Sequence, residues 1–264
     1  MASRKAEREQ ARQERVAAEA AEAAAQRRQR MIQLGFGGVL LAAIIVVVLV
    51  VVSQSGGGGS TSSSGGGSGG SASNASDVAL VKKQLAGIQQ NGNVLGDPKA
   101  KTTIVEFGDP QCPVCKAFSE QVSPGLISGP VRAGTANYEF QPWLIIGPQS
   151  TPAAKAAFAA GEQGRFWNYI ELFYRNQEEE NSGYVTNDFL TSIAKGAGVP
   201  DISKWDSDRQ SSKYDAQLAS IKRQATQMGF QGTPTVYVQG PGGKKVLPGV
   251  PTASQVEAAL KSVQ

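Results

Sequence analysis

For residues 77–264 the sequence predicts an α/β fold, a mixed sheet with a block of helices inserted into it, behind one apolar span and a flexible linker. Three observations carry that prediction. Thr102–Phe107 (TTIVEF) is β-branched and apolar, as in a buried strand, and it runs straight into both cysteines of the chain, Cys112 and Cys115. From Thr151 to about Phe230 the apolar residues recur at helical spacing. Strand character then returns at Thr235–Gln239 (TVYVQ).

Of the chain's 26 basic and 22 acidic side chains, eight and five lie in residues 1–31 and none in residues 32–76, so 18 and 17 remain for the rest. That remainder is nearly neutral and carries no electrostatic footprint for nucleic acid. Residues 1–31 are rich in Ala, Glu, Arg and Gln and read as a solvated, charged helical tail. Residues 32–52 hold the run LGFGGVLLAAIIVVVLVVV, uncharged throughout. A membrane-spanning helix needs roughly 20 such residues. Arg27, Arg28 and Arg30 stand just before the run and no charge follows until Asp77. The positive-inside rule therefore puts the tail in the cytoplasm and the remainder outside. The run is longer than the apolar region of a cleaved secretory signal, so an uncleaved signal-anchor is expected. Residues 53–76 (SQSGGGGSTSSSGGGSGGSASNAS) form a Gly/Ser tether with a root-mean-square reach of roughly 25–30 Å. Within it, Asn74-Ala75-Ser76 matches a glycosylation sequon, a short and weak pattern.

In the folded region, Asp77–Gln90 is expected to be a short amphipathic helix, with turns at Asn91-Gly92 and Asp97-Pro98. After the Thr102–Phe107 strand, a helix from the cysteines through Lys116–Val122 should stop before Ser123-Pro124-Gly125. Tyr138–Ile145 reads as a strand weakened at Pro142. The helical block comprises TPAAKAAFAAGEQ, RFWNYIELFYRNQ, VTNDFLTSIAKGAG and a long run from Ile202 to Met228. Its aromatic cluster Phe166, Trp167, Tyr169, Phe173 and Tyr174 has the spacing of a helix face turned to a core. Lys244–Leu247 is a last strand, and Thr252 with Gln255 forms a capping box for a last helix reaching about Val263.

The chemistry rests on Cys112-Pro113-Val114-Cys115. Thiol exchange needs an activated outer thiolate and a second thiol close enough to resolve a mixed disulfide. A cysteine at a helix N-terminus meets unpaired N–H groups and the positive end of the helix dipole, both of which favour a negative sulfur. Pro113 suits the first turn, where its missing N–H costs nothing. Cys112 is therefore expected to be the exposed nucleophile and Cys115 the more buried resolving cysteine. Two other readings stand beside this one. A tetrahedral metal site would need further soft or imidazole ligands, and the chain has no third Cys and no His, so no metal is expected. A purely structural disulfide would close a very short loop and constrain the unfolded chain little.

IVEFGDPQCPVCK, followed far downstream by QGTPTVYV, resembles the DsbA-like thiol–disulfide oxidoreductases of the thioredoxin superfamily, over about residues 93–264. The resemblance implies a thioredoxin-like fold with a helical insertion at about residues 150–230. It implies that Thr233-Pro234 forms a cis peptide loop facing the Cys112–Cys115 disulfide, where the Thr233 backbone would pair with an extended substrate. It also implies that Glu106 is the buried acid under the disulfide, able to relay the proton of Cys115. In a strand Glu106 faces away from Val105 and Phe107, so one face is expected to be more polar. Asp109 and Lys116 are further charges whose effect on Cys112 depends on geometry. Strongly oxidising family members often carry His between the cysteines, whereas here the dipeptide is Pro113-Val114, so a milder oxidant is expected.

The expected function is a membrane-tethered, extracytoplasmic protein-disulfide oxidoreductase that oxidises exported client proteins and needs no cofactor beyond its own sulfurs. The resemblance implies reoxidation by a DsbB-like or vitamin K epoxide reductase-like membrane partner. A reductase, for example one serving cytochrome c maturation, is the alternative direction. A non-enzymatic client-binding module is the alternative class.

Overall fold

The computed structural model describes residues 74–264. The tail, the expected span at 32–52 and the tether up to residue 73 lie outside the described residues. Among the described residues no helix is long and apolar enough to cross a membrane.

Helix α1 (Ala75–Leu85) begins two residues before Asp77, because Asn74 caps it: its Oδ1 accepts the Asp77 N–H at 2.8 Å. The sequon residues thus form a helix start and not the end of the tether. A hairpin of two very short strands follows, β1 (Gln90–Asn91) and β2 (Val94–Leu95), turning at Gly92 with φ of 56°. The turn was expected, but strands this short carry no readable period.

The centre of the sheet is β3 (Thr102–Gly108). It lies parallel to β4 (Ala136–Pro142) and antiparallel to β5 (Thr235–Gly240), which pairs with the edge strand β6 (Gly243–Val246). The strand order is β1-β2-β4-β3-β5-β6. The expected polar face of β3 is absent: Val105 and Phe107 are 0% exposed and Glu106 is 2% exposed. A central strand covered on both sides buries both of its faces. β4 stops at Pro142, short of Ile145, since proline has no N–H for the ladder. One more bond, Trp143 N–H to the Gly108 carbonyl at 2.9 Å, closes the pair.

Helix α2 (Pro113–Gln121) leaves the end of β3. It does stop before Ser123, but the chain does not turn away. Ser123-Pro124 opens α3 (Ser123–Leu126), and a π-helical segment, Ile127–Val131, follows. Proline in a first turn loses no hydrogen bond, so this Pro starts a helix and does not end one. The insertion consists of α4 (Ser150–Gly161), α5 (Phe166–Arg175), α6 (Asn187–Gly196), α7 (Ile202–Gln210) and α8 (Asp215–Gln227). The run from Ile202 is two helices because the Ser211 hydroxyl donates to the Asp208 carbonyl (2.7 Å) and accepts from the Lys213 N–H (3.2 Å), offering the backbone an alternative to helix. The five aromatics of α5 are all buried, as core. Helix α9 (Ala253–Ser262) packs on β3 and β5 and carries the Thr252–Gln255 capping box.

Candidate active site

Gly108 ends β3 against the Phe140 ring, where a Cβ would come within 2.7 Å of a ring carbon, so only glycine fits. Asp109 then fixes the loop. One carboxylate oxygen accepts the Gln111 N–H (2.9 Å), and the other accepts those of Ile145 (2.7 Å) and Ile146 (2.9 Å). Its backbone carbonyl accepts from the Cys112 N–H at 2.9 Å. The Asp109 carboxylate, a potential negative neighbour of Cys112, is thus engaged by three backbone donors.

Cys112 is the N-cap residue of α2, with φ −72° and ψ 119°, and Pro113 occupies the first turn. Its Sγ accepts the Cys115 N–H at 3.4 Å, and its S–H reaches the Thr233 carbonyl at 3.4 Å. Thr233-Pro234 is a cis peptide, as the resemblance implied. Both cysteines are free thiols. Cys112 is 4% exposed and Cys115 0%, so the nucleophile is more enclosed than expected, while Val114 beside it is 44% exposed. The two sulfurs have opposite electrostatics. Hydrogen bonding with Cys115 lowers the Cys112 pKa from 9.0 to about 6, against burial, with help from Thr233 and the N–H groups of Cys115 and Val114. Burial, first, and then the hydrogen bond and charge of Cys112 push Cys115 well above the ordinary thiol value.

Glu106 lies in the buried strand beneath them. Tyr138 donates a very short hydrogen bond to its Oε2, and the Tyr138 oxygen is in turn 3.1 Å from the Ser123 hydroxyl. Oε1 is buried with no hydrogen-bond partner. Burial raises the Glu106 pKa to about 8, opposed by Tyr138 and reinforced by the charges of Glu171 and Cys112. Glu171, on α5, is a second buried acid, raised by burial to about 7. Tyr138, Ser123 and Glu171 were missed in the sequence. Tyr138 had a signal: in the register of β3 with β4 it stands opposite Ile104, two residues from Glu106 and on the same face. Lys116 does not face the sulfur; its Nζ donates to the Gln177 carbonyl at 3.3 Å and pairs with Glu120 at 3.8 Å.

An outer thiol that ionises near neutrality, an inner thiol that resists ionisation and a protonated acid below them define a thiol–disulfide exchange centre. The thioredoxin family model matches residues 89–261. A probable disulfide bond formation protein D of Bacillus cereus is 31% identical over 150 residues, covering 55% of this chain and 69% of that protein. The crystal structure of oxidised BdbD from Bacillus subtilis matches with a TM-score of 0.58 at 23% identity, over 66% of this chain and 96% of that one. DsbA of Chlamydia trachomatis matches with a TM-score of 0.56 at 24% identity, over 64% and 89%. The chain belongs to the thioredoxin family, as one of its DsbA-like protein-disulfide oxidoreductases.

Proposed function

We propose that this chain oxidises cysteine pairs of exported proteins from a tether on the outer face of a membrane. The observation that carries this reading is the placing of Cys112 as N-cap of α2, where its Sγ accepts the Cys115 N–H at 3.4 Å beside the cis Thr233-Pro234 loop, an arrangement that lowers its pKa. A sulfur stabilised as thiolate favours the reduced form and makes the disulfide a willing electron acceptor. The uncharged run at 32–52, preceded by Arg27, Arg28 and Arg30, supports a single span with the tail cytoplasmic, and the Gly/Ser composition of residues 53–73 supports a tether beyond it.

A client thiolate attacks Sγ of Cys112 in the Cys112–Cys115 disulfide, the S–S bond breaks, and Cys115 leaves with the electron pair. Its raised pKa makes it take up a proton, and Glu106, still protonated at neutral pH, supplies it. The second client thiol loses its proton to solvent and attacks the client sulfur of the mixed disulfide. Cys112 departs as a thiolate. The client has lost two electrons and two protons, the protein holds the electrons as a Cys112 thiolate and a Cys115 thiol, and Glu106 regains a proton from solvent. A DsbB-like or vitamin K epoxide reductase-like membrane partner then accepts them. Thr233 and Pro234 flank the sulfur as a backbone platform for an extended client. Exposed Val114 and Ile145, the latter tied to Asp109, offer apolar surface to an unfolded one.

Equilibration of the full chain with glutathione tests the direction. With Val114 in place of His, a potential between about −270 mV (thioredoxin) and about −120 mV (DsbA) is expected. A value at or below that of thioredoxin would overturn the oxidant and assign a reductase.

A further inference from the structure

The loop that presents the nucleophile is held from the insertion, and by few groups. Gln177, two residues past the end of α5 and 9% exposed, sends its side-chain amide across the boundary. Its Nε2 donates to the Pro110 carbonyl at 2.6 Å and to the Cys112 carbonyl at 3.2 Å. Its backbone carbonyl accepts Lys116 Nζ, so the same residue grips both the entry and the first turn of α2. Tyr174, three residues earlier, donates its hydroxyl to the Asp109 carbonyl at 3.2 Å. Gln111 completes the seam: its Nε2 donates to the Ser150 hydroxyl and its Oε1 accepts the Asn181 N–H, both at 3.0 Å.

We propose that Gln177 is a positioning residue for the Cys112 thiolate. Pinning the carbonyl of an N-cap residue fixes its ψ, and with it the direction in which the Cα–Cβ bond leaves the backbone relative to the N–H groups of the first turn, while the sulfur's own hydrogen bonds hold χ1. The Cys112 carbonyl already accepts the Lys116 N–H at 3.1 Å. The Gln177 amide occupies its second lone pair and simultaneously ties the preceding Pro110 carbonyl, so the N-cap cannot rotate without breaking both bonds. The Cys115 N–H that stabilises the sulfur therefore stays aimed at it. In these terms the insertion belongs to the redox centre, and within its seam the Gln177 side chain positions a sulfur that it never touches.

The proposal rests on thiolate chemistry at Cys112, and the unmodified chain tests that premise separately. Its iodoacetamide alkylation rate should rise through about pH 6. The test compares the full chain with Gln177→Met, which keeps length and loses both donors, and Gln177→Glu, which keeps the planar shape and turns an oxygen toward the two carbonyls. The alkylation pH profile, the equilibrium with glutathione and the melting temperature are read for each. In Gln177→Met the alkylation transition should move up by about one pH unit. The equilibrium constant at pH 7 should shift toward the disulfide by about fivefold. Gln177→Glu should move both further at neutral pH and recover part of the way in acid, where a protonated carboxyl regains one donor. A lower melting temperature with an unmoved pH profile and glutathione equilibrium, in either variant, would overturn the proposal and leave Gln177 a structural clamp alone. If Gln177→Met does not fold, the acid recovery of Gln177→Glu decides: its absence overturns the proposal.

Discussion

Replacing Glu106 with Gln should stabilise the reduced protein at neutral and alkaline pH while impairing its chemistry. The Glu106 carboxyl titrates at about 8 in the fold, against 4.5 for the ordinary group. Below pH 4.5 folded and unfolded chains both hold the proton, and burial of the acid carries no ionisation penalty. Above it the unfolded chain ionises and the folded one does not, so stability falls with rising pH until the folded group titrates too. Fully developed, the loss is roughly 5 kcal/mol, and at pH 7 about 3 kcal/mol. Gln cannot ionise and escapes this penalty. Its Oε1 can still accept from Tyr138, but its amide falls where the Glu106 Oε1 has no partner. An unpaired buried donor costs about 1–2 kcal/mol. The net expectation is a variant about 1–2 kcal/mol more stable at pH 7, about 3 kcal/mol more stable at pH 9 and about 1–2 kcal/mol less stable at pH 4, with a crossover between about pH 5 and 6. Urea unfolding of the reduced full chain in detergent, followed by the fluorescence of buried Trp143, Trp167 and Trp205, measures the difference at each pH. Client oxidation should meanwhile slow by about a hundredfold, since Cys115 loses its proton donor. A stability difference that stays constant from pH 4 to 9 would refute the reasoning, because it would mean that Glu106 has an ordinary pKa in the fold.

Cys115→Ala should leave Cys112 able to attack and unable to be resolved, so client proteins accumulate as mixed disulfides on Cys112, visible on non-reducing gels. Absence of such adducts, with function intact, would point to a binding module. Asp109→Ala removes the acceptor of three backbone N–H groups and should cost about 2–4 kcal/mol of folding stability in urea. A cost under about 0.5 kcal/mol would show that water replaces the carboxylate freely.

The strand and the helix-capping cysteine were legible because each is a local pattern whose chemistry travels with its residues, whereas the cis peptide at Thr233-Pro234 was implied only by the family resemblance. The Thr252–Gln255 cap was read for the same reason. The burial of Glu106 was implied by the resemblance, but not that both faces of its strand are covered, which follows from helices supplied elsewhere in the chain. Gln177 and Tyr174 were invisible: nothing in a polar residue after an aromatic helix says that it reaches carbonyls some 65 residues earlier. The stop before Ser123 was read correctly, but the helix that Ser123-Pro124 opens was not, because proline both ends and begins helices and only the path of the following chain tells which. The Asn74 cap was absorbed into the Gly/Ser segment because that composition continues unbroken up to it.

The two halves of the redox centre lie far apart along the chain. Cys112 and the Thr233 carbonyl that meets its sulfur are separated by 121 residues, and β3 pairs with β5 across the whole insertion. Chain synthesis proceeds from the N-terminus, so both cysteines exist before the second half of their site does. During that interval β3 has an open edge on its β5 side, a template for unwanted pairing, and the sulfur lacks one of the partners that ready it for exchange. Closing so long a loop is slow relative to local folding. The thiol chemistry of this protein therefore matures with its tertiary structure: a newly made chain lacks the second half of its exchange site until the last strands have docked.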